Sequence, residues 1–244
     1  MNKDSLANQL VREILARIVA GEYTTDSRLP SERALGDEFR ISRGTVRQAW
    51  GILAELGVIE IRQGSGAYVQ SLPQFGIPTR YLPPEITSVT MEDILCARKA
   101  IETTAAELAC EKMSTSKLKE LEGLIARMEA DIDDLPTFLK YDMAFHEAII
   151  RGSGNCPLIT AFEAIREYHR YFQVFTSRYA GDEQAAVNQH RRILRALCHR
   201  NAKAAVEAVR RHLDVLGQGK AKEKKANRIR FARNEEKTLC PGRM

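Results

Sequence analysis

Six amphipathic stripes follow one another between residues 91 and 216, and they leave little choice about how that part of the chain folds. Apolar residues recur at helical steps in Ile94-Ile101-Ala105-Leu108, Leu118-Leu121-Ile125-Met128-Ile132, Phe138-Phe145-Ile149, Leu158-Phe162-Ile165-Phe172, Val187-Leu194-Leu197 and Ala205-Val209-Leu216. Such spacing puts one apolar face on each helix. The breaks are short and fall at residues 114–116, Pro136, residues 152–155, Gly181 and Asn201. Helices joined this tightly bury their stripes against one another, and the expected architecture is an all-α antiparallel bundle.

The first 70 residues are patterned differently. Leu6, Leu10, Ile14 and Ile18 make one amphipathic helix that Gly21 can stop. Ser31 can cap a short helix over 32–39, and Ser42 a second over 43–56 with Gly57 as its stop. Two β-prone runs, Val58–Arg62 and Ala67–Val69, flank a Gln-Gly-Ser-Gly turn and read as a hairpin. Helix, helix, turn, helix, hairpin is the order of a winged helix-turn-helix. The fold class expected is therefore mainly α, a winged helix-turn-helix followed by a helical bundle.

Four parts result: a winged domain over 1–70, a linker over 71–90 with four prolines, a helical domain over 91–216 and a tail over 217–244. The net charge of +5 lies wholly in the tail, which holds 9 Lys/Arg against 3 Asp/Glu and is expected to be disordered. Residues 1–70 carry 9 of each sign, so nucleic-acid binding has to be argued from local placement and not from the sum. No uncharged apolar run reaches the ~18 residues of a membrane span, and the first ten residues lack the apolar core of a signal peptide. The five cysteines are odd in number and have no CxxC spacing. A protein of the reducing cytoplasm is expected.

The second helix of the turn motif begins Ser42-Arg43-Gly44-Thr45-Val46-Arg47-Gln48. Arg43 and Arg47 share one face at its N-terminal end, where a recognition helix meets base edges, and arginine suits the O6/N7 pair of guanine. Ser42 and Thr45 can donate to phosphate, and Gly44 lets the backbone approach it. Arg33 opens the preceding helix and can reach the same backbone or a base edge. Gln63 and Gly64 belong to a wing tip small enough for a minor groove. The bland alternative for the two arginines is a solvated helix face.

The helical part holds polar residues on apolar stripes. Asp142 and His146 share a face with Phe138, Phe145 and Ile149; His190 lies with Val187 and Leu194, and His212 with Val209 and Leu216. One carboxylate and three imidazoles from three helices thus point into one bundle. Buried ionisable groups need partners, and a divalent metal would satisfy all four, with Zn²⁺ foremost and Ni²⁺, Mn²⁺ or Fe²⁺ also suited. Ordinary hydrogen-bonded core histidines are the alternative. His169 competes as a ligand because it too lies on an apolar stripe, whereas His199 sits at a helix end. Arg98, on the stripe of Ile94 and Ile101, either pairs with Glu102 one turn on or forms a fork for a ligand carboxylate.

Three segments carry a family resemblance. Leu29-Pro30-Ser31-Glu32-Arg33, Ser42-Arg43-Gly44-Thr45-Val46-Arg47-Gln48-Ala49 and Gly64-Ser65-Gly66-Ala67-Tyr68-Val69 resemble the winged domain of GntR-type bacterial transcription regulators over residues 5–69. The resemblance implies operator contacts from Arg33, Arg43, Arg47 and Gly64. Trp50 departs from the usual Leu or similar residue, on the core side of the helix. Arg98-Lys99-Ala100-Ile101-Glu102, Asp142-x-x-x-His146, Ser153-Gly154-Asn155, His190 and His212 are similar to the FCD effector domain of one GntR subgroup. That likeness implies a metal on Asp142, His146, His190 and His212, favouring His190 over His169, with Arg98 beside a pocket for a small organic acid. Together they imply a homodimeric DNA-binding regulator, a repressor, acting on a palindromic double-stranded operator. The rival class is a metal-dependent enzyme using the Asp/His₃ group. No general base is evident near it in sequence, and a winged domain has no role in small-molecule turnover.

Overall fold

The computed structural model describes residues 5–70, 88–180, 183–218 and 228–230. The winged part contains α1 (Leu6–Ala20), α2 (Glu32–Phe39), α3 (Arg43–Glu55), β1 (Ile59–Arg62) and β2 (Gly66–Val69). Serine hydroxyls start all three helices: Ser5, Ser31 and Ser42 accept from the backbone N–H of Asn8, Ala34 and Thr45. Gly21, at φ 81°, ends α1 in the left-handed region that a Cβ disfavours, and its N–H reaches back to the last turn. β1 and β2 pair antiparallel, with Ile59 opposite Val69 and Arg62 opposite Gly66. Leu10, Ile14, Leu35, Val46, Trp50, Leu53, Ile59 and Val69 form the core beneath them.

The six expected helices of the second part are α4 (Met91–Lys112), α5 (Thr115–Ala130), α6 (Leu135–Gly152), α7 (Cys156–Ala180), α8 (Glu183–Cys198) and α9 (Ala202–Gln218). Thr90 and Asp93 start α4 with a reciprocal capping box. Pro136, read as a break, instead sits in the first turn of α6, where its missing N–H removes no helical bond. α4 is the central element and packs on α6, α7, α8 and α9. Phe145, Phe172, Val187, Leu197 and Leu213 are buried around it, and Leu121 and Met128 are buried on α5, which packs on α6 and α8.

The linker and tail behave differently from the expectation where they are described. β3 (Ser88–Thr90), read as linker, pairs antiparallel with β4 (Arg228–Arg230), read as disordered tail, with Val89 opposite Ile229. Val89, Thr90 and Ile229 are β-branched residue types of the kind enriched in strands, a signal too short to stand out from composition. Gly217 and Gln218, also read as tail, end α9, and residues 71–87, 219–227 and 231–244 lie outside the described residues. The two large parts also touch: α1 packs on α7 as well as on α3, and Asn8 donates to the Asp133 carbonyl at 3.0 Å.

Candidate functional site

Helix α6 brings Asp142 and His146 inward one turn apart, α8 brings His190, and α9 brings His212; all four are buried. One donor atom from each lies within 4.8 Å of the others. His190 Nε2 stands 3.1 Å from Asp142 Oδ1 and 3.4 Å from His146 Nε2, and His146 Nε2 stands 3.9 Å from Asp142 Oδ2. A metal bonded at about 2.1 Å sets neighbouring ligand atoms roughly 3–3.5 Å apart, so the spacing suits a shared ion. His212 Nε2 is buried with no hydrogen-bond partner, an orphan that a metal bond would satisfy.

A second layer orients the rings. Glu102 Oε2 lies 2.7 Å from His146 Nδ1, and Gln189 Oε1 lies 2.8 Å from His212 Nδ1. Holding Nδ1 in this way leaves Nε2 as the free lone pair, the arrangement usual behind metal-bound histidine. Gln173 donates to Asp142 Oδ2 in a short contact. Burial lowers His190 to about 4, against the opposing pull of Asp142, and pushes His212 well below the usual imidazole range. Both are therefore neutral, as ligands must be.

Beside this group lies a second set of buried polar atoms. Arg98 is 0% exposed; its Nε reaches Glu102 Oε1 at 2.6 Å, while Nη1 and Nη2 find no hydrogen-bond partner. Burial alone would raise the Glu102 carboxyl; Arg98, His146 and His169 together outweigh it and hold the group well below the usual carboxylate range. Of the two readings of Arg98, the structure shows the pairing with Glu102, made through one edge of the guanidinium, and leaves the other edge without a partner. His169 falls outside the metal group. Its ring packs 5.4 Å from that of His146, both its nitrogens lack partners, and burial keeps it neutral.

On the other part, Ser42, Arg43, Gly44, Arg47, Arg33, Gln63 and Gly64 are all exposed, and Thr45 is half-buried. Val46 and Trp50 turn inward from α3, which leaves its N-terminal arginines on the outer face. The wing tip is an Arg62–Ser65 turn closed by Ser65 N–H on the Arg62 carbonyl at 2.9 Å, with Gly64 at φ 72°. Arg62 lies over the Tyr68 ring at 4.3 Å and stiffens the wing.

Residues 6–69 match the family described as bacterial regulatory proteins, gntR family, and residues 93–215 match the FCD domain. The chain belongs to the GntR family. Within it, this FCD-bearing GntR protein is 27% identical over 213 residues to the galactonate operon transcriptional repressor of Escherichia coli K12, covering 82% of this chain and 90% of that one. It is 28% identical over 217 residues to the Exu regulon transcriptional regulator of the same organism, with 86% and 82% covered. It is 29% identical over 210 residues to the HTH-type transcriptional regulator LutR of Bacillus subtilis, with 80% and 94% covered. A family of transcription regulators answers the enzyme alternative: this GntR protein is a regulator. Among its described residues no helix is long and apolar enough to cross a membrane.

Four residues of this GntR chain escape a reading of its sequence. Glu102 was legible only as a partner of Arg98, yet it also holds His146. Gln173 falls one turn after His169 on the stripe that faces α6, which is a usable signal. Gln189 and Glu32 carry none, because each acts through an element distant in sequence from its own.

Proposed function

We propose that this regulator is a homodimeric, cytoplasmic repressor that binds a palindromic operator through its winged domain and a small organic acid through its helical domain. The division proposed is 1–70 for DNA, 71–90 as linker, 91–216 for the effector and 217–244 as a basic extension. Arg43 and Arg47 contact base edges, Ser42, Gly44 and Thr45 meet phosphate, Arg33 meets the backbone or a base, and Gln63 and Gly64 enter the minor groove. One such domain reads only a few base pairs, and two-fold pairing supplies a second half-site.

The observation that carries the effector reading is the free edge of Arg98. Two guanidinium nitrogens at 0% exposure without partners are costly in a ligand-free core and become favourable when a carboxylate forks onto them. Asp142, His146, His190 and His212 would hold a divalent ion, zinc first among the candidates, which supplies a Lewis-acidic positive charge to an anionic ligand. A sugar acid or a short hydroxy or keto acid fits; one relative is named for the galactonate operon, and galactonate is a sugar acid.

Elemental and mass analysis of the purified protein tests this reading. Stoichiometric metal with a co-purified organic acid is the expected result. Metal-free protein, with no gain in thermal stability on adding Zn²⁺ and sugar acids, would overturn it.

A further inference from the structure

The orientation of Arg47 is set from another helix. Its Nε donates to Glu32 Oε1 at 3.1 Å and its Nη2 to Glu32 Oε2 at 2.8 Å. This side-on pairing uses the Nε–H and one Nη2–H. A guanidinium has five N–H groups in a rigid plane, so the end-on edge, Nη1 with the second Nη2–H, remains. That edge can meet two acceptors in one plane, as guanine O6 and N7 present them. The carboxylate and a base therefore use different edges of one side chain.

Glu32 is itself well anchored. It is the first residue of α2, directly after the Ser31 cap, where the helix N-terminus favours a negative charge. Its side chain is 26% exposed, against 71% for Arg47. Arg47 in turn draws the Glu32 carboxyl below its ordinary range. Among the described residues Arg33 has a looser partner within its own helix, Asp37 at 3.8 Å. An exposed ion pair adds little to stability, so its effect is on where the guanidinium points.

We infer that Glu32 is a positioning residue for base reading: it holds the Arg47 guanidinium with its free edge toward the major groove, and its own charge repels phosphate when that docking is absent. Glu32 thereby strengthens binding to the right sequence and weakens binding to the wrong one. The inference rests on the reading of Arg47 as a base-contacting residue.

The test uses the full chain, a duplex enriched by the wild-type protein from a randomised pool, that duplex with each G·C pair changed singly, and a mixed-sequence duplex, all at one salt concentration. Arg47→Ala should lose about ten- to a hundredfold on the enriched duplex and its preference at one G·C pair. Glu32→Gln should lose about three- to tenfold there, relax the preference at that same pair, and bind the mixed-sequence duplex as well as or better than wild type. On the Arg47→Ala background, Glu32→Gln should cost nothing further on the enriched duplex. A Glu32→Gln protein with full base preference, or one whose loss persists without Arg47, overturns the positioning role while leaving Arg47 a reader. An Arg47→Ala protein that keeps every base preference overturns the reading of Arg47 itself, and Glu32 falls with it.

Discussion

Arg12 and Glu183 stand 171 residues apart in sequence, and Arg12 Nη2 donates to Glu183 Oε1 at 2.6 Å. The pair joins α1, which packs on the proposed recognition helix α3, to the first residue of α8, which carries His190. Asn8, one turn earlier on α1, holds the Asp133 carbonyl just ahead of α6, which carries Asp142 and His146. The helix behind α3 is thus tied to the starts of both helices that supply three of the four proposed metal ligands. Glu183→Gln should leave the fold intact, at a stability cost of about 1 kcal/mol or less for a partly exposed pair. Wild-type protein loaded with Zn²⁺ and protein stripped with chelator should differ at least about fivefold in operator affinity. In Glu183→Gln that difference should shrink toward none; an unchanged difference would exclude the pair as a route of coupling.

Metal content separates the histidines. His190→Ala and His212→Ala should each abolish stoichiometric metal and lower the melting temperature of protein prepared with Zn²⁺. His169→Ala should retain the full complement, because its ring lies outside the converging group. Gln189→Ala should weaken metal affinity about tenfold through loss of the His212 orientation. Wild-type stability should rise with metal by about 2.7 kcal/mol at a hundredfold excess over the dissociation constant. Elemental analysis and thermal melts with and without chelator read all four outcomes.

The Arg98–Glu102 pair, 0% and 3% exposed, carries a different expectation. Glu102→Ala strands a buried guanidinium and should destabilise the ligand-free protein by about 3–5 kcal/mol in urea denaturation. Replacing both residues with apolar ones, Arg98→Met with Glu102→Leu, should recover most of that loss while abolishing any response to organic acids. Equal stability for the single and double variants would mean that Arg98 reaches water or another anion when Glu102 is gone.

Arg43→Ala tests the major-groove placement of α3 apart from the Glu32–Arg47 pair. The side chain is exposed at the start of the helix, so folding should be unchanged. Binding to the enriched duplex should fall about ten- to a hundredfold, and binding to mixed-sequence DNA far less. Wild-type affinity on the enriched duplex at matched salt would remove α3 from the groove.

Periodicity and caps made most of this fold legible. An apolar stripe ended by Gly21 marked α1, the capping serines Ser31 and Ser42 marked α2 and α3, and six stripes with short breaks marked α4 to α9, because each signal is local. The β3–β4 pairing was not legible, since three-residue strands separated by the whole helical part have no local period. In the candidate site, Asp142, His146, His190 and His212 stood out as polar residues on apolar stripes. Their supports did not. Gln189 faces His212 from a neighbouring helix, and a glutamine beside a histidine in sequence says nothing about a partner on α9. The contacts of α1 with Asp133 and Glu183 were equally silent, because composition draws a boundary between parts without saying whether they touch.

The order in which the converging residues occur along the chain bears on how the molecule resists unfolding. Two come from α6, one from α8 and the last from α9, so an ion bound among them closes a ring of backbone running from residue 142 to residue 212. Loop closure in the unfolded chain grows costlier only slowly with length, and a ring of this size gains nearly as much from one reversible bond set as from a covalent bridge. In a protein without paired cysteines among its described residues, the ion would act as a staple that chelators can open. Its removal would reopen that ring, so a protease should cut chelated protein faster than metal-loaded protein.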